Sequence, residues 1–366
     1  MAARLKGRAL FTVRKEKKQQ MVKIVRVFIL LLLGAIAAQA QPKSLFYMTN
    51  SPDSVRSFLE HVDKIDIIVP TWYTVDENGM VWGGPDPLVL KTAKEHHVPV
   101  MPIVSGAGFG TKGFHAFLHN DAARKAFAEA LPQICKRNGY SGFQIDFEDL
   151  IWNDRDTLSS LVAEAAAALH RDGYQLSIAT VPSAPGYPGQ TAFGYWIYRD
   201  WRGVYDLKAL AKSVDLICLM TYDQHTSYTP PGPVAGYPWV VQNLDFALKR
   251  VPKDKLALGI PLYGYHWYAG MPKDGKPNIA ASSISAPDAL QLAQEYGGKI
   301  QWDLADLTSW FYFYRDDMRE WVFFTDARTF EARYDLVKQR GLQGFCSWVL
   351  GTEDPGIWKL LPSHQY

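Results

Sequence analysis

The stretch GYSGFQIDFEDL, residues 139–150, joins the pattern of a buried β-strand to a pair of acidic side chains. Successive side chains of a strand point to opposite faces of its sheet. The odd positions form an apolar face: Phe143, Ile145 and Phe147. The even positions form a polar face: Gln144, Asp146 and Glu148. Because one face packs while the other carries carboxylates, the stretch predicts the active-site strand of an enzyme.

Strands and helices alternate on both sides of this stretch. Apolar or alternating runs predict eight strands: 44–49, 65–71, 98–105, 139–150, 175–181, 214–222, 255–263 and 342–349. Helical spacing and capping residues predict helices between them, including 120–138, which Pro132 is expected to kink or divide, and 327–340. Eight strands in alternation with helices predict an α/β fold, a (β/α)8 TIM barrel.

The interval between the seventh strand and the last helix is too long for an ordinary connection. It contains three short strand-like segments: 299–304, 310–315 and 319–325. We therefore expect a small α+β insertion at about 266–326, within one barrel domain of residues 41–366.

Residues 1–40 have the layout of a signal peptide. An apolar run at 27–38 follows basic residues and leads into Ala38-Gln39-Ala40, and it is too short to span a membrane. The basic segment before Met21 is long for such a peptide, which makes Met21 a possible true start. We expect a bacterial protein that is secreted or held in the periplasm or cell envelope, with no stable membrane anchor after cleavage.

The composition narrows the class of protein. With 366 residues and 48% hydrophobic content, the chain can bury a large core. Without residues 1–40 it holds 30 basic and 36 acidic residues, a formal net charge of −6, which indicates no nucleic-acid partner. The cysteines at 135, 218 and 346 lack the spacing of a disulfide framework or a zinc site, and we expect buried free thiols. We also expect a monomer.

Asp146 and Glu148 lie two positions apart on one strand face, about 6.6 Å between Cα atoms. Two carboxylates this close in a partly desolvated site raise the proton affinity of one of them. A protonated acid near neutral pH is the general acid that glycosidic cleavage needs, and the short spacing disfavours an inverting mechanism. Two other interpretations stay open: a divalent-metal site, for which nearby strand ends offer few ligands, and a structural polar plug.

The aromatic residues favour a carbohydrate groove. All twelve tryptophans fall at predicted strand ends or in segments that follow a strand, which is the active-site side of a barrel. Flat apolar rings suit the faces of sugar rings, although such rings also pack against one another to support long loops. Trp72, after the second strand, is one candidate for substrate binding.

With these residues in hand, the chain resembles glycoside hydrolase family 18, the chitinases and related β-N-acetylglucosaminidases, over its whole barrel. The family pattern Asp-Gly-x-Asp-x-Asp-x-Glu reads SGFQIDFE at residues 141–148. The sixth strand ends in MTYD at 220–223, similar to the family element Met-x-Tyr-Asp. The seventh and eighth strands carry Tyr263 and Trp348 at matching places.

The resemblance implies retaining, substrate-assisted hydrolysis of β-linked N-acetylglucosamine glycans, without a metal or organic cofactor. It makes Glu148 the proton donor, while Asp146 and Tyr222 orient the acetamido group of the substrate and stabilise the cyclic oxazolinium. Further residues implied in substrate binding are Gln144, Met220, Asp223, Tyr263 and Trp348.

Two departures from the family pattern affect the expected activity. Ser141 and Gln144 replace its first two acids, so proton sharing with Asp146 is altered and a shifted pH optimum is expected. A lectin-like chitin- or peptidoglycan-binding protein with little turnover is therefore the rival interpretation, and the retained Glu148 favours the enzyme. The look of segments 232–239, 258–265 and 348–355 is similar to bacterial members that act on cell-wall or spore-cortex glycans. This leaves chitin and peptidoglycan both open as substrates.

Overall fold

Strand pairing arranges the chain around one curled parallel sheet. The computed structural model describes residues 41–108, 110–183, 191–273 and 276–364. The predicted signal peptide, residues 1–40, lies outside them. In chain order the strands are β1 (Lys43–Met48), β2 (Ile67–Pro70), β3 (Tyr73–Val75), β4 (Val81–Gly83), β5 (Ile103–Gly106), β6 (Gly142–Asp146), β7 (Gln175–Thr180), β8 (Leu216–Leu219), β9 (Leu256–Pro261), β10 (Tyr263–Lys273), β11 (Lys276–Ser285), β12 (Gln301–Asp303), β13 (Thr308–Arg315), β14 (Met318–Phe324) and β15 (Gly344–Trp348).

Eight of these strands form the predicted barrel. The parallel order is β2-β1-β15-β9-β8-β7-β6-β5, and the short hairpin β3-β4 extends the sheet beyond β5. A parallel bridge between Ile68 and Val100 joins β2 to the segment before β5, and the Met101 amide donates to the Ile68 carbonyl at 3.0 Å. These contacts connect the two ends of the sheet, and the (β/α)8 prediction is confirmed.

The helices of the chain lie mostly on the outside of the barrel. They are α1 (Pro52–His61), α2 (Pro87–Glu95), α3 (Gly110–Leu118), α4 (Asp121–Asn138), α5 (Arg155–Arg171), α6 (Ala192–Ile197), α7 (Leu207–Ser213), α8 (Tyr237–Leu248), α9 (Ala286–Glu295) and α10 (Ala327–Arg340). Side-chain caps begin several of them; Ser51, for example, accepts from the Ser54 amide. Within the ranges that the structure describes, no helix combines the length and apolar character needed to cross a membrane.

Helix α4 corrects the expectation that Pro132 divides the segment 120–138. The helix is continuous through Pro132, which lies on its buried side. Proline removes one backbone hydrogen bond, but Phe127 and Leu131 are fully buried on the same helix. The packing of that apolar face outweighs the lost bond, as is usual for helices in folded proteins.

Two apolar layers hold the barrel. Between sheet and helices lies the larger one, which includes Phe143, Ile145 and Phe147. A smaller layer fills the barrel itself, with Tyr47, Cys218 and Cys346 among its members. Cys135, Cys218 and Cys346 are buried free thiols, as predicted.

The insertion between β9 and α10 has two more strands than the sequence pattern predicts. Its five antiparallel strands have the order β11-β10-β14-β13-β12, and α9 packs on one face through an apolar cluster. The three predicted short strands correspond to β12, β13 and β14. The hairpin of β10 and β11 was missed, because β10 begins two residues after β9 and the apolar run reads as one strand.

Arg333 on α10 joins the insertion to the barrel. Its side chain is buried, at 1% exposure. The guanidinium donates to four carbonyl oxygens, those of Ala235, Asp306, Leu307 and Thr329. Burial lowers its pKa to about 10, so the group remains charged at neutral pH. A single cation therefore holds the turn after β12, the segment before α8 and the first turn of α10.

Replacement of Arg333 should destabilise the fold strongly. We expect Arg333→Ala to lower the free energy of unfolding by about 3 kcal/mol or more, because several buried carbonyls lose a charged donor. Arg340→Ala is the matched control on the same helix. Arg340 pairs with Asp245, and their side chains are 36% and 45% exposed, respectively. Its cost should stay below about 1 kcal/mol. Equal losses in urea titrations of the two variants would contradict this role of Arg333.

Candidate active site

Two glycines determine how the chain enters β6. Gly139 ends α4 in the left-handed region, at φ 74°, and its amide donates to the Cys135 carbonyl at 2.7 Å. Gly142 lies so close to β7 that a Cβ atom there would stand 2.0 Å from the Gln175 carbonyl oxygen. Glycine is the residue that accepts both situations without strain. The two positions therefore set the register in which the acidic face follows.

The predicted alternation of β6 is present in the structure. Phe143, Ile145 and Phe147 are at most 1% exposed and face the helices. Gln144 is fully buried in the barrel interior, where its Nε2 donates to Ser177 Oγ at 2.9 Å and approaches Cys218 Sγ at 3.1 Å. Its Oε1 has no hydrogen-bond partner among the described residues.

Asp146 and Glu148 continue the inward face beyond Gln144. Burial raises the pKa of Asp146 to about 6, and its Oδ1 lacks a hydrogen-bond donor in the part of the chain described. Burial also raises the pKa of Glu148 to about 7, helped by the negative charges of Asp146, Asp149 and Asp223. Both shifts have the sign expected for carboxylates removed from water. Glu148 is thus an acid that holds its proton up to neutral pH.

Tyr222 and Asp223 reach the same place from the end of β8. Burial raises the pKa of Tyr222, and so do the nearby charges of Asp146, Glu148 and Asp223, which puts the phenol within the field of both acids. Asp223 has a positive φ of 58°. Its Oδ1 accepts hydrogen bonds from Tyr263 Oη at 2.5 Å and Tyr265 Oη at 3.4 Å.

A cavity of about 80 Å³ lies where these side chains meet. Its lining residues are Glu148, Val181, Pro182, Arg202, Met220, Tyr222 and Asp223. Four residues predicted from sequence therefore share one cavity. The sequence analysis missed Arg202, because residues 198–202 form one π-helical turn, and so short a turn leaves no periodic pattern in the sequence that would point Arg202 towards the site.

The other predicted site residues lie around this cavity or away from it. Tyr263 is 6% exposed and supports Asp223 from behind. Trp348, at the end of β15, packs its ring 5.5 Å from that of Tyr47 beside the inner layer. Trp72 lies apart from them: it is 6% exposed and packs 6.1 Å from Tyr140 in the layer between sheet and helices. The chain turns after Pro70, which directs Trp72 away from the barrel interior.

Aromatic side chains flank the site on two sides. On one side, a cavity of about 480 Å³ is lined by Trp152, Ala192, Tyr195, Trp196, Tyr198 and Arg199 from the loops after β6 and β7. On the other, neighbouring rings continue from Tyr222 into the insertion sheet at centroid distances of 5.5–6.5 Å, through Tyr263, Tyr265, Trp267, Phe323, Trp310, Trp321 and Tyr312. Exposed members such as Tyr195 and Tyr312 offer flat surfaces for sugar rings.

Comparisons with known proteins give the family and the fold of the chain. The family model described as Glycosyl hydrolases family 18 matches residues 43–353. A cortical fragment-lytic enzyme of Bacillus subtilis is 27% identical over 293 residues, 79% of this chain and 65% of that protein. Solved structures share the fold, and two examples are a chitinase and a spore cortex-lytic enzyme. A chitinase of Chromobacterium violaceum has a TM-score of 0.78 at 24% identity, covering 87% of this chain and 97% of the other. The spore cortex-lytic enzyme SleL of Bacillus megaterium has a TM-score of 0.76 at 23% identity, covering 87% and 73%.

The raised pKa of Glu148 predicts a stability that depends on pH. Between its ordinary value of 4.5 and about 7, the folded protein holds a proton that the unfolded chain releases. The free energy of unfolding therefore falls as pH rises through this window. Glu148→Gln removes the effect and should raise the free energy of unfolding by about 1–3 kcal/mol at about pH 8, with little change near pH 4.

Chemical denaturation of both proteins at the two pH values measures this difference. Glu77→Gln is the matched control, because Glu77 is exposed in the turn between β3 and β4. This variant should follow the wild-type curve at both pH values. A Glu148→Gln variant that is no more stable than wild type at about pH 8 would argue against a strained, buried acid.

Proposed function

The chain belongs to glycosyl hydrolase family 18 and is a glycosidase, and we propose that it cleaves β-linked N-acetylglucosamine glycans by a retaining, substrate-assisted mechanism. The observation that carries this proposal is a pair of neighbouring acids with raised pKa values: Glu148, which lines the cavity and has a pKa of about 7, and Asp146 behind it on the same strand face, with a pKa of about 6. A general acid works best when its pKa lies near the working pH. Glu148 meets that requirement.

In the first step, Glu148 donates its proton to the glycosidic oxygen while the bond to the anomeric carbon breaks. The acetamido carbonyl oxygen of the same sugar attacks that carbon, as in the substrate-assisted exception to the two-carboxylate scheme. Asp146 accepts a hydrogen bond from the acetamido N–H, and the Tyr222 hydroxyl donates a hydrogen bond to the acetamido oxygen. Both side chains lie close enough to Glu148 to affect one another's pKa.

In the second step, the carboxylate of Glu148 takes a proton from water, and the oxygen of that water attacks the anomeric carbon. The oxazolinium ring opens and the product keeps the configuration of the substrate. Asp146 lowers the free energy of the positively charged ring by its negative charge in a site of low dielectric constant. Every proton that is transferred in these two steps comes from Glu148 or from water.

The name of one similar protein supports the choice of glycan. A cortical fragment-lytic enzyme is similar to 79% of this chain, and its name favours cell-wall fragments over chitin as the substrate that we propose. We also propose export through the segment 1–40 and action outside the cytoplasm as a monomer. A cell-wall polymer lies outside the membrane, so export would bring the enzyme to it.

A second candidate function is glycan binding with little turnover. It rests on Gln144, an amide where the family pattern has an acid, fully buried and unable to share a proton with Asp146. The retained Glu148 and its raised pKa favour turnover. Activity measurements separate the two functions directly.

Glu148→Gln should abolish hydrolysis without abolishing binding. The amide keeps the shape of the side chain but has no proton to donate, and we expect the rate to fall by at least about 10²–10⁴-fold. The assay uses N-acetylglucosamine oligomers and purified peptidoglycan fragments, with NMR detection of the first product anomer. A wild-type protein that binds but cleaves neither glycan would falsify the enzymatic function, whereas an inverted first product would refute only the substrate-assisted mechanism.

Asp146→Asn should shift the pH dependence of hydrolysis. Glu148 must be protonated to act, so kcat/KM of the wild type should fall as pH rises through about 7. The negative charge of Asp146 raises the pKa of Glu148, and its removal should move the basic limb of the profile to lower pH. The rate should also fall, because Asp146 orients the substrate.

Asp149→Asn is the matched control for this shift. Asp149 also raises the pKa of Glu148 but contributes less than Asp146. Its positive φ of 57° is accepted by asparagine, so the loop should keep its conformation. A smaller shift in the same direction, with the maximal rate retained, is expected. A basic limb that stays in place in both variants would disprove the electrostatic coupling.

A further inference from the structure

A second group of ligating side chains lies outside the catalytic cavity. His115 is in the last turns of α3, and His119 follows one residue after the end of that helix. Asp154 ends the short helical turn Trp152–Asp154, which leads into α5. The three side chains therefore come from the connections that follow β5 and β6. Nothing in the proposed hydrolysis uses them.

The geometry of this group resembles a metal site before the metal binds. His115 and His119 are separated by four residues, and the His119 amide donates to the His115 carbonyl at 3.2 Å, so both rings lie on one helical face. His115 Nδ1 is 2.7 Å and His119 Nε2 is 3.1 Å from the same oxygen, Asp154 Oδ1. The three ligand atoms lie within 4.8 Å of one another. Ligands about 2.0–2.1 Å from a tetrahedral zinc ion are about 3.4 Å apart, so small side-chain rotations suffice.

The burial of Asp154 is an independent observation that points to a cation. Its side chain is 0% exposed, whereas the side chains of His115 and His119 are 49% and 50% exposed. Asp154 Oδ2 is buried and has no hydrogen-bond partner in the described ranges. A buried carboxylate is costly unless its charge is compensated and its oxygens are bound. Two imidazole rings at one oxygen leave the other unsatisfied.

We propose that His115, His119 and Asp154 bind one divalent transition-metal ion, of which Zn²⁺ is the leading candidate. Two imidazoles and one carboxylate suit Zn²⁺, and Co²⁺ and Ni²⁺ are accepted by similar ligands. The exposed side of both histidines leaves the remaining coordination position to water. The doubly charged ion would offset the negative charge of the buried Asp154 carboxylate.

The site would brace the loop that carries the catalytic acid. The metal joins α3 to the turn before α5, and the Phe114 ring of α3 packs 5.2 Å from that of Phe147, the neighbour of Glu148. The ion therefore acts on the position of this loop and takes no part in the bond-breaking steps. Binding is measurable without any glycan, so this proposal can fail while the glycosidase function stands, and the reverse.

Calorimetry with Zn²⁺, after removal of bound metal by a chelator, tests the proposal on the purified protein. We expect one ion per chain, a visible absorption band when Co²⁺ replaces Zn²⁺, and a rise in Tm of several degrees at about a hundred times the Kd. His115→Ala and His119→Ala should each weaken binding by at least about tenfold, since even groups that only support a ligand contribute that much. The half-exposed positions of both histidines favour folded variants, and Asp154→Asn tests the third ligand at nearly constant shape.

His170→Ala is the matched control. His170 also pairs with an aspartate, Asp215, at 2.8 Å, but this pair has no second histidine. The control should keep the stoichiometry and affinity of the wild type. Absence of saturable binding by the wild type overturns the proposal, and so does binding that persists unchanged when His115 and His119 are both replaced.

Discussion

The register of β6 between β5 and β7 is the constraint on which the site depends. Gln144 stands opposite Ile103 on one side and Ser177 on the other. A slip of one residue would exchange the two faces, because side chains of a strand alternate with a period of two. Phe143 and Ile145 would then enter the barrel, and the carboxylate of Asp146 would face the helices. The apolar layer between sheet and helices thus makes the two acids point into the barrel.

The polar groups that this register places inside the barrel lower the free energy of unfolding. Tyr47 Oη, Gln144 Oε1 and Asp146 Oδ1 are all buried without a partner among the residues that the structure describes. Each such group costs about 1–3 kcal/mol when no water reaches it. The apolar layer between sheet and helices compensates for this loss. The candidate active site therefore lies beside buried polar atoms that lack hydrogen-bond partners. The surrounding apolar layer keeps that region folded.

Much of the fold could be predicted because its signals are local. The alternation in residues 143–148 follows from strand geometry, and α10 begins and ends at the predicted residues, Ala327 and Arg340. The start of β10 could not be predicted, since the apolar run continues from β9 without a break. Trp72 illustrates a different limit. The predicted strand runs to residue 71, but β2 ends at Pro70, and the turn that follows changes the direction of the side chains after it.

Only part of the candidate site could be predicted from the sequence. Acids and aromatic residues at strand ends are visible in the sequence, because the barrel brings all strand ends to one side. Arg202, His119 and Asp154 come instead from connections between regular elements, and His115 comes from helix α3. Their mutual distances depend on how separate loops pack, and no spacing along the chain records that packing.

The hydrogen bonds from Tyr263 and Tyr265 to Asp223 limit how this enzyme can diversify. Both tyrosines are among the first residues of β10, so the start of the inserted sheet donates hydrogen bonds to a side chain of the candidate active site. An exchange of the whole insertion between relatives would also exchange that support. Variation in glycan preference is therefore easiest in β12 and β13, the strands farthest from β10 in the inserted sheet. The first residues of β10 should evolve together with the loop after β8 as one unit.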